Sequence, residues 1–282
     1  MSLISYPAPA KINLFLRVTG RRADGYHLLQ TVFRFLDVSD TLYFRVRQDG
    51  VVQRVSNVPG ISAEEDITVK AARLLRQEAG VKRGVEIRLL KQLPVGGGLG
   101  GGSSDAATTL LVLNQLWDLH LSRGELAQLG LRLGADVPVF IFGESAFGEG
   151  IGEDLRPIAL PPAWYLVLVP PVSVATRKVF EHPDLTRNSS PVTITAFSLV
   201  RGQNDLEPVV CSAYPDVAHH LGWLRGHTSA GSFAALTGSG ACVFAEFSTE
   251  SEARRVASLL PVGMHGFVAQ GLDRHPLRHL AD

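Results

Sequence analysis

Hydrophobic and polar positions alternate early in the chain. Ile12, Leu14, Leu16 and Val18 fall on one face of an extended strand, and Lys11, Asn13, Phe15 and Arg17 on the other. Asp24-Gly25 is a turn signal, and residues 28–36 and 41–46 follow it as apolar runs, the second a strand. Residues 69–80 read as a helix ending at glycine. Residues 85–90 alternate again and predict a strand, while 103–113 read as a buried helix capped by serine. Ser122-Arg123-Gly124-Glu125 is a capping box for a helix that ends at Gly134, and Asp136 ahead of Pro138 has the local context of an N-cap. The stretch 146–152 is interrupted by glycines.

Pro157, Pro161 and Pro162 mark a boundary that divides the chain into 1–158 and 159–282. Beyond it come a strand over 164–169, a short segment over 176–180, a loop over 187–191 and a helix over 209–224. Strands over 232–236 and 242–247 are joined by Thr237-Gly238-Ser239-Gly240. A second capping box at 249–252 opens a helix to about 260, and 266–269 is a last strand. Strands interspersed with helices predict an α+β fold with a mostly antiparallel sheet.

Composition narrows the partners. Of 282 residues 45% are hydrophobic and 19% charged, the balance of a folded soluble chain, and the length favours two domains. Lys plus Arg equals Asp plus Glu at 27 each, which removes the broad basic surface of a sequence-independent nucleic-acid binder and favours a small-molecule partner. Cys211 and Cys242 are too few for a disulfide framework, so a reducing compartment is expected. The first residues lack the pattern of a targeting signal, and the longest apolar run, 164–169, is far short of the ~20 residues that span a bilayer. These features predict a cytoplasmic protein without membrane contact; monomer and weak homodimer both stay open.

The chemistry gathers at residues 94–104, Pro94-Val95-Gly96-Gly97-Gly98-Leu99-Gly100-Gly101-Gly102-Ser103-Ser104, where six of the seven residues 96–102 are glycine. Strand, glycine loop and helix N-terminus in that order bring free N–H donors and the positive end of a helix dipole to one point, which suits a phosphate group. The loop is not that of the common P-loop NTPases, because no lysine occurs between Lys91 and Lys178. Only five lysines occur, and Lys11 heads an apolar strand beside Asn13, as a ligand for a phosphate oxygen or as a plain edge charge. Tyr26 and His27 after the turn are either turn residues or a stacking and hydrogen-bonding pair. His275 and His279 have Pro276 between them and no acidic cluster, which argues against a metal site.

Three separated segments, residues 9–14, 94–107 and 236–241, together resemble the motifs of the GHMP kinases, the superfamily of galactokinase, homoserine kinase and mevalonate kinase. Residues 22–27, 96–104 and 133–140 are most similar to the branch that phosphorylates the 2-hydroxyl of a cytidyl diphosphate ester of methylerythritol, in non-mevalonate isoprenoid synthesis. The resemblance implies a domain similar to ribosomal protein S5 domain 2 followed by a ferredoxin-like domain, with the site between them. It implies Asp136 as base, Lys11 as neutraliser of phosphoryl charge, and residues 94–104 as holders of ATP, with Mg²⁺ bridging the phosphates. It also implies Asn13 on the erythritol, an aromatic clamp of Tyr26, Phe33 and Phe180 around cytosine, and His27 on the polar edge of the base. The protein ligands of the metal stay open, with Ser104 and Glu125 as candidates.

Overall fold

β1 (Tyr6–Arg21) and β2 (His27–Arg47) form a long antiparallel hairpin about the Asp24-Gly25 turn. The structure is a computed structural model that describes residues 4–228 and 232–281; residues 1–3, part of the N-terminal reading above, lie outside it. The runs 28–36 and 41–46 belong to one strand, because β1 supplies a ladder from Arg21↔His27 to Tyr6↔Leu42 and carries the polar stretch between them.

Alternation along β1 holds only part of the way. Asn13 pairs with Phe33 and Phe15 with Val32, so one extra residue, Leu14, sits in a bulge and the face reverses past it. Lys11 and Asn13 share a face as predicted, but Leu16 continues it rather than Phe15. Phe15 turns to the other side, against Phe147 and Phe197 at 6.0 and 5.7 Å between ring centroids.

In the first half follow β3 (Val52–Arg54), α1 (Ile67–Glu78), β4 (Gly84–Leu90), α2 (Gly101–Leu116), α3 (Arg123–Leu131) and α4 (Val137–Phe142). β5 (Ala146–Glu149) and β6 (Asp154–Pro157) close it as a small hairpin. Helix α2 buries every residue from Ser104 to Asn114, which makes it the helix at the centre of its layer, packed between α1, α4 and β1. Its first residue is Gly101 and its N-cap Gly100, so the serine cap expected at Ser103 does not form; Ser103 and Ser104 are already inside the first turn.

In the second half follow β7 (Trp164–Leu168), α5 (Thr176–Glu181), α6 (Glu207–Ala213), α7 (Pro215–His227), β8 (Ala234–Leu236), β9 (Val243–Phe247), α8 (Glu250–Ala257) and β10 (Gly266–Leu272). The single helix expected over 209–224 is two, because Pro215 lacks an N–H and drives Tyr214 to φ −130, ψ 87, outside the helical region.

Strand β10 joins the halves. Gly266–Gln270 pair with β7, and Gly271 and Leu272 pair with Leu36 and Phe35 of β2. One sheet therefore runs β3-β4-β2-β10-β7-β9-β8. A core cluster of Ile12, Phe15, Val32, Phe147, Tyr165 and Phe244 crosses the join, so neither half is capped without the other. Leu111 lies at the middle of α2 and is fully buried. Leu111→Ala is expected to lower the unfolding free energy by roughly 2–5 kcal/mol, read from urea denaturation; a change under about 1 kcal/mol would remove α2 from the centre of the core.

Candidate active site

Two adjoining clefts open beside the glycine loop. The first, of ≈ 300 Å³, is lined by Lys11, Asn13, Thr31, Phe33, Asp136 and Phe180 among others. The second, of ≈ 410 Å³, is lined by residues 94–103 with Asp66, Lys91 and Asp105. Gly96, Gly98, Ser103 and Thr176 belong to both, so whatever occupies one cleft meets the occupant of the other at those residues.

The Lys11 ammonium is 2% exposed and lies 3.0 Å from Asp136 Oδ2, whose side chain is 38% exposed. It donates to Asn13 Oδ1 at 2.7 Å and stands 5.6 Å from the centre of the Phe33 ring. Asn13 Nδ2 donates to Thr31 Oγ1 at 2.9 Å, and Asn13 N–H to Thr237 Oγ1 at 3.1 Å. Asp136 occupies the N-cap position of α4 without making a cap bond; its carboxylate turns to Lys11 instead.

The glycine loop is shaped as much by protein as by any ligand. Gly98 has φ 76, and a Cβ there would stand 2.3 Å from Thr237 O; Gly100 has φ 71, and a Cβ would meet Lys11 Cε and Cγ at 3.0 Å. The first rung of α2 is Ser104 N–H to Gly100 O at 2.8 Å, so the N–H groups of Gly101, Gly102 and Ser103 precede it with no acceptor inside the helix. These are the donors that the strand, loop and helix order predicts for a phosphate.

Of the expected aromatic clamp, Phe33 and Phe180 line the first cleft, but Tyr26 does not; it is 59% exposed at the hairpin turn. His27 is buried and stacks on Phe180, with ring centroids 5.1 Å apart. Burial, then the Arg187 and Arg21 cations, lower its pKa. Pro94 and Val95 line the second cleft with the glycines, whereas Ser104 is fully buried and lines neither. Glu125 is also absent from both clefts, because its carboxylate accepts Ser122 N–H and Oγ–H at 2.8 and 2.7 Å in the capping box.

Among the described residues no group of three or more His, Cys, Asp and Glu could hold a metal. A Mg²⁺ carried on nucleotide phosphates takes its other ligands from water and one or two protein oxygens. Ser103, in the first turn of α2, and Asp136 are oxygen-bearing side chains that line the first cleft.

Several site residues carried no sequence signal of their own. Thr31 could have been found from alternation, since Leu29, Thr31 and Phe33 share a face of β2 and all line the first cleft. Lys91 could not: it donates to Asp40 Oδ2 at 2.5 Å and Asp105 Oδ2 at 2.7 Å, partners that are remote in the chain. Asp40 also accepts N–H bonds from Gln92 and Leu93, while Asp105 Oδ1 has no partner among the described residues. Burial pushes the Asp105 carboxyl up to about 8, and Lys91 only partly offsets it.

Two family models match the chain, "GHMP kinases N terminal domain" over residues 66–144 and "GHMP kinases C terminal" over 180–260. The fold is that of the GHMP kinases, and the class is one of ATP-dependent kinases. The chain is 61% identical over 279 residues to 4-diphosphocytidyl-2-C-methyl-D-erythritol kinase of Nitrosospira multiformis, covering 99% of this chain and 95% of that protein. It is 58% identical to the protein of the same name from Thiobacillus denitrificans, over 97% of each. A crystal structure of 4-(cytidine 5'-diphospho)-2C-methyl-D-erythritol kinase superposes with a TM-score of 0.80 at 34% identity, over 95% of this chain and 99% of the other. A mevalonate kinase at 14% identity and TM-score 0.69 shares the fold. The chain belongs to the 4-diphosphocytidyl-2-C-methyl-D-erythritol kinase family of the GHMP kinases.

The Asp105 carboxyl gives a prediction about pH. Its folded pKa lies above its unfolded value, so between about pH 4 and 8 the folded chain holds more proton than the unfolded one, and stability falls as pH rises. Asp105→Asn removes that slope. Its melting temperature relative to the parent chain should climb between pH 5 and 8.5; parallel curves for the two proteins would contradict the raised carboxyl.

Proposed function

We infer that this kinase transfers the γ-phosphoryl group of ATP to the 2-hydroxyl of 4-diphosphocytidyl-2-C-methyl-D-erythritol, giving the 2-phosphate and ADP, in non-mevalonate isoprenoid synthesis. The observation that carries the reading is the buried Lys11 ammonium 3.0 Å from the half-open Asp136 carboxylate, in the cleft next to the glycine loop. The relatives' names supply the acceptor. The halves 1–158 and 159–282 are its two domains, and the protein works in the cytoplasm on small molecules; no helix among the described residues is long and apolar enough to cross a membrane.

ATP lies along residues 94–103, its phosphates at the free N–H groups of α2. Ser103 would offer a protein oxygen to a Mg²⁺ bound with the nucleotide, which would supply neutralisation of phosphate charge. The acceptor occupies the first cleft, its erythritol hydroxyls toward Asn13 and Lys11 and its cytosine toward Phe33 and Phe180, the ring on which His27 stacks. Asp136 takes the proton of the 2-hydroxyl, the freed oxygen bonds to the γ-phosphorus, and the bond to the β-phosphate oxygen breaks to release ADP. Lys11 cannot swing away, because Asn13 and Asp136 hold its ammonium, so its charge stays where the transferring group develops negative charge.

Coupled ADP release with Mg-ATP, run on the cytidyl acceptor, homoserine and mevalonate, tests the reading; turnover of another alcohol alone would overturn it. Asp136→Ala is expected to lower kcat by about 100-fold or more with little change in the KM for ATP. Full turnover in that variant removes Asp136 from the chemistry.

A further inference from the structure

Arg187 lies in the loop that follows α5, and its donors converge on two things. Nη2 donates to Phe180 O at 2.9 Å and His182 O at 2.7 Å, and Nη1 to Leu185 O at 3.0 Å, which folds the end of α5 and the following loop around the guanidinium. The remaining Nε–H donates to His27 Nε2 at 3.1 Å. A guanidinium has donors only and stays charged. The imidazole nitrogen that faces it must therefore present a lone pair, and in a neutral ring the other nitrogen then carries the hydrogen. That nitrogen, Nδ1, has no hydrogen-bond partner among the described residues. Arg21 is a second cation acting on the ring, and both favour its neutral form.

We propose that Arg187 is a positioning residue: it locks His27 in the Nδ1–H tautomer and so makes the base subsite accept a pyrimidine whose ring nitrogen is bare, a cytosine, and reject one whose ring nitrogen carries hydrogen, a uracil. The specificity half rests on the acceptor inferred above. Cytosine presents a bare acceptor at N3, which a fixed N–H donor can meet, whereas uracil N3–H would confront that donor with another; the O2 acceptor is common to both bases and does not discriminate. Phe180, the aromatic stacked on His27, has its carbonyl held by the same guanidinium, so tautomer and stacking face are set by one side chain.

The test uses the full chain with ¹⁵N-labelled histidine and no ligand. Long-range ¹H–¹⁵N spectra near pH 7.5 should show His27 with its proton on Nδ1 and a bare Nε2; a proton on Nε2 overturns the lock without touching the functional reading. Arg187→Met should admit the other tautomer and lower the preference in kcat/KM for the cytidyl over the uridyl acceptor by at least about 10-fold, through KM more than kcat. His27→Phe keeps an aromatic ring beside Phe180 but has no tautomer. In that background Arg187→Met should leave the residual preference unchanged; an equal loss there would mean that Arg187 acts only by holding the loop, and would overturn the proposal. A parent chain that phosphorylates neither acceptor overturns the functional reading and the specificity half with it, while the spectra still decide the tautomer.

Discussion

The site depends on keeping one ammonium out of water. A buried cation is strongly destabilising unless its charge and its N–H donors are met, and the parts that meet those of Lys11 come from distant places in the chain. Asp136 arrives at the start of α4, Asn13 from the next position on the same face of β1, and the Phe33 ring from β2. The backbone is fixed as well, since Lys11 N–H donates to Leu99 O at 2.9 Å and the side chain leaves no space for a Cβ at Gly100. Strand, hairpin partner, glycine loop and short helix are thus mutually required at a single point.

Thr237 shows how the second half enters that arrangement. Its hydroxyl accepts Asn13 N–H and donates to Gly98 O at 3.3 Å, so one side chain from the loop after β8 touches both the Lys11 strand and the glycine loop. The continuous sheet through β10 and the shared core across β1, β2, β7 and β9 hold the two halves in the register that this contact needs. The clefts lie where the halves meet because the groups that shape them are drawn from both.

Local signals in the sequence reported local structure well. The Ser122 capping box makes both of its reciprocal bonds, the box expected at Thr249 makes only one of its two, from Glu252 N–H to the Thr249 hydroxyl, and alternation correctly puts Lys11 and Asn13 on one face. Alternation failed past Leu14 because a bulge is a property of strand pairing, invisible in one strand alone. The serine start of α2 misled because Gly100, free to adopt φ 71, begins the helix earlier. Pro215 was visible and its effect on Tyr214 follows from sterics, yet the apolar spacing on both sides made two helices look like one. Arg187 and Lys91 stayed hidden because their meaning lies in remote partners, His27 for one and Asp40 with Asp105 for the other.

A run of six glycines among seven residues would be among the most mobile stretches of a free chain. Here Gly96 O and Gly97 O accept N–H groups of Ala241 and Cys242 at 3.4 and 3.0 Å, Gly98 O accepts the Thr237 hydroxyl, and Leu99 O accepts Lys11 N–H. Much of the entropy lost in ordering this loop is therefore surrendered when the chain folds, not when nucleotide arrives. For the nucleotide proposed to lie along it, binding energy is left free to orient phosphates instead of ordering backbone, and a loop that composition alone would class as flexible is a rigid template.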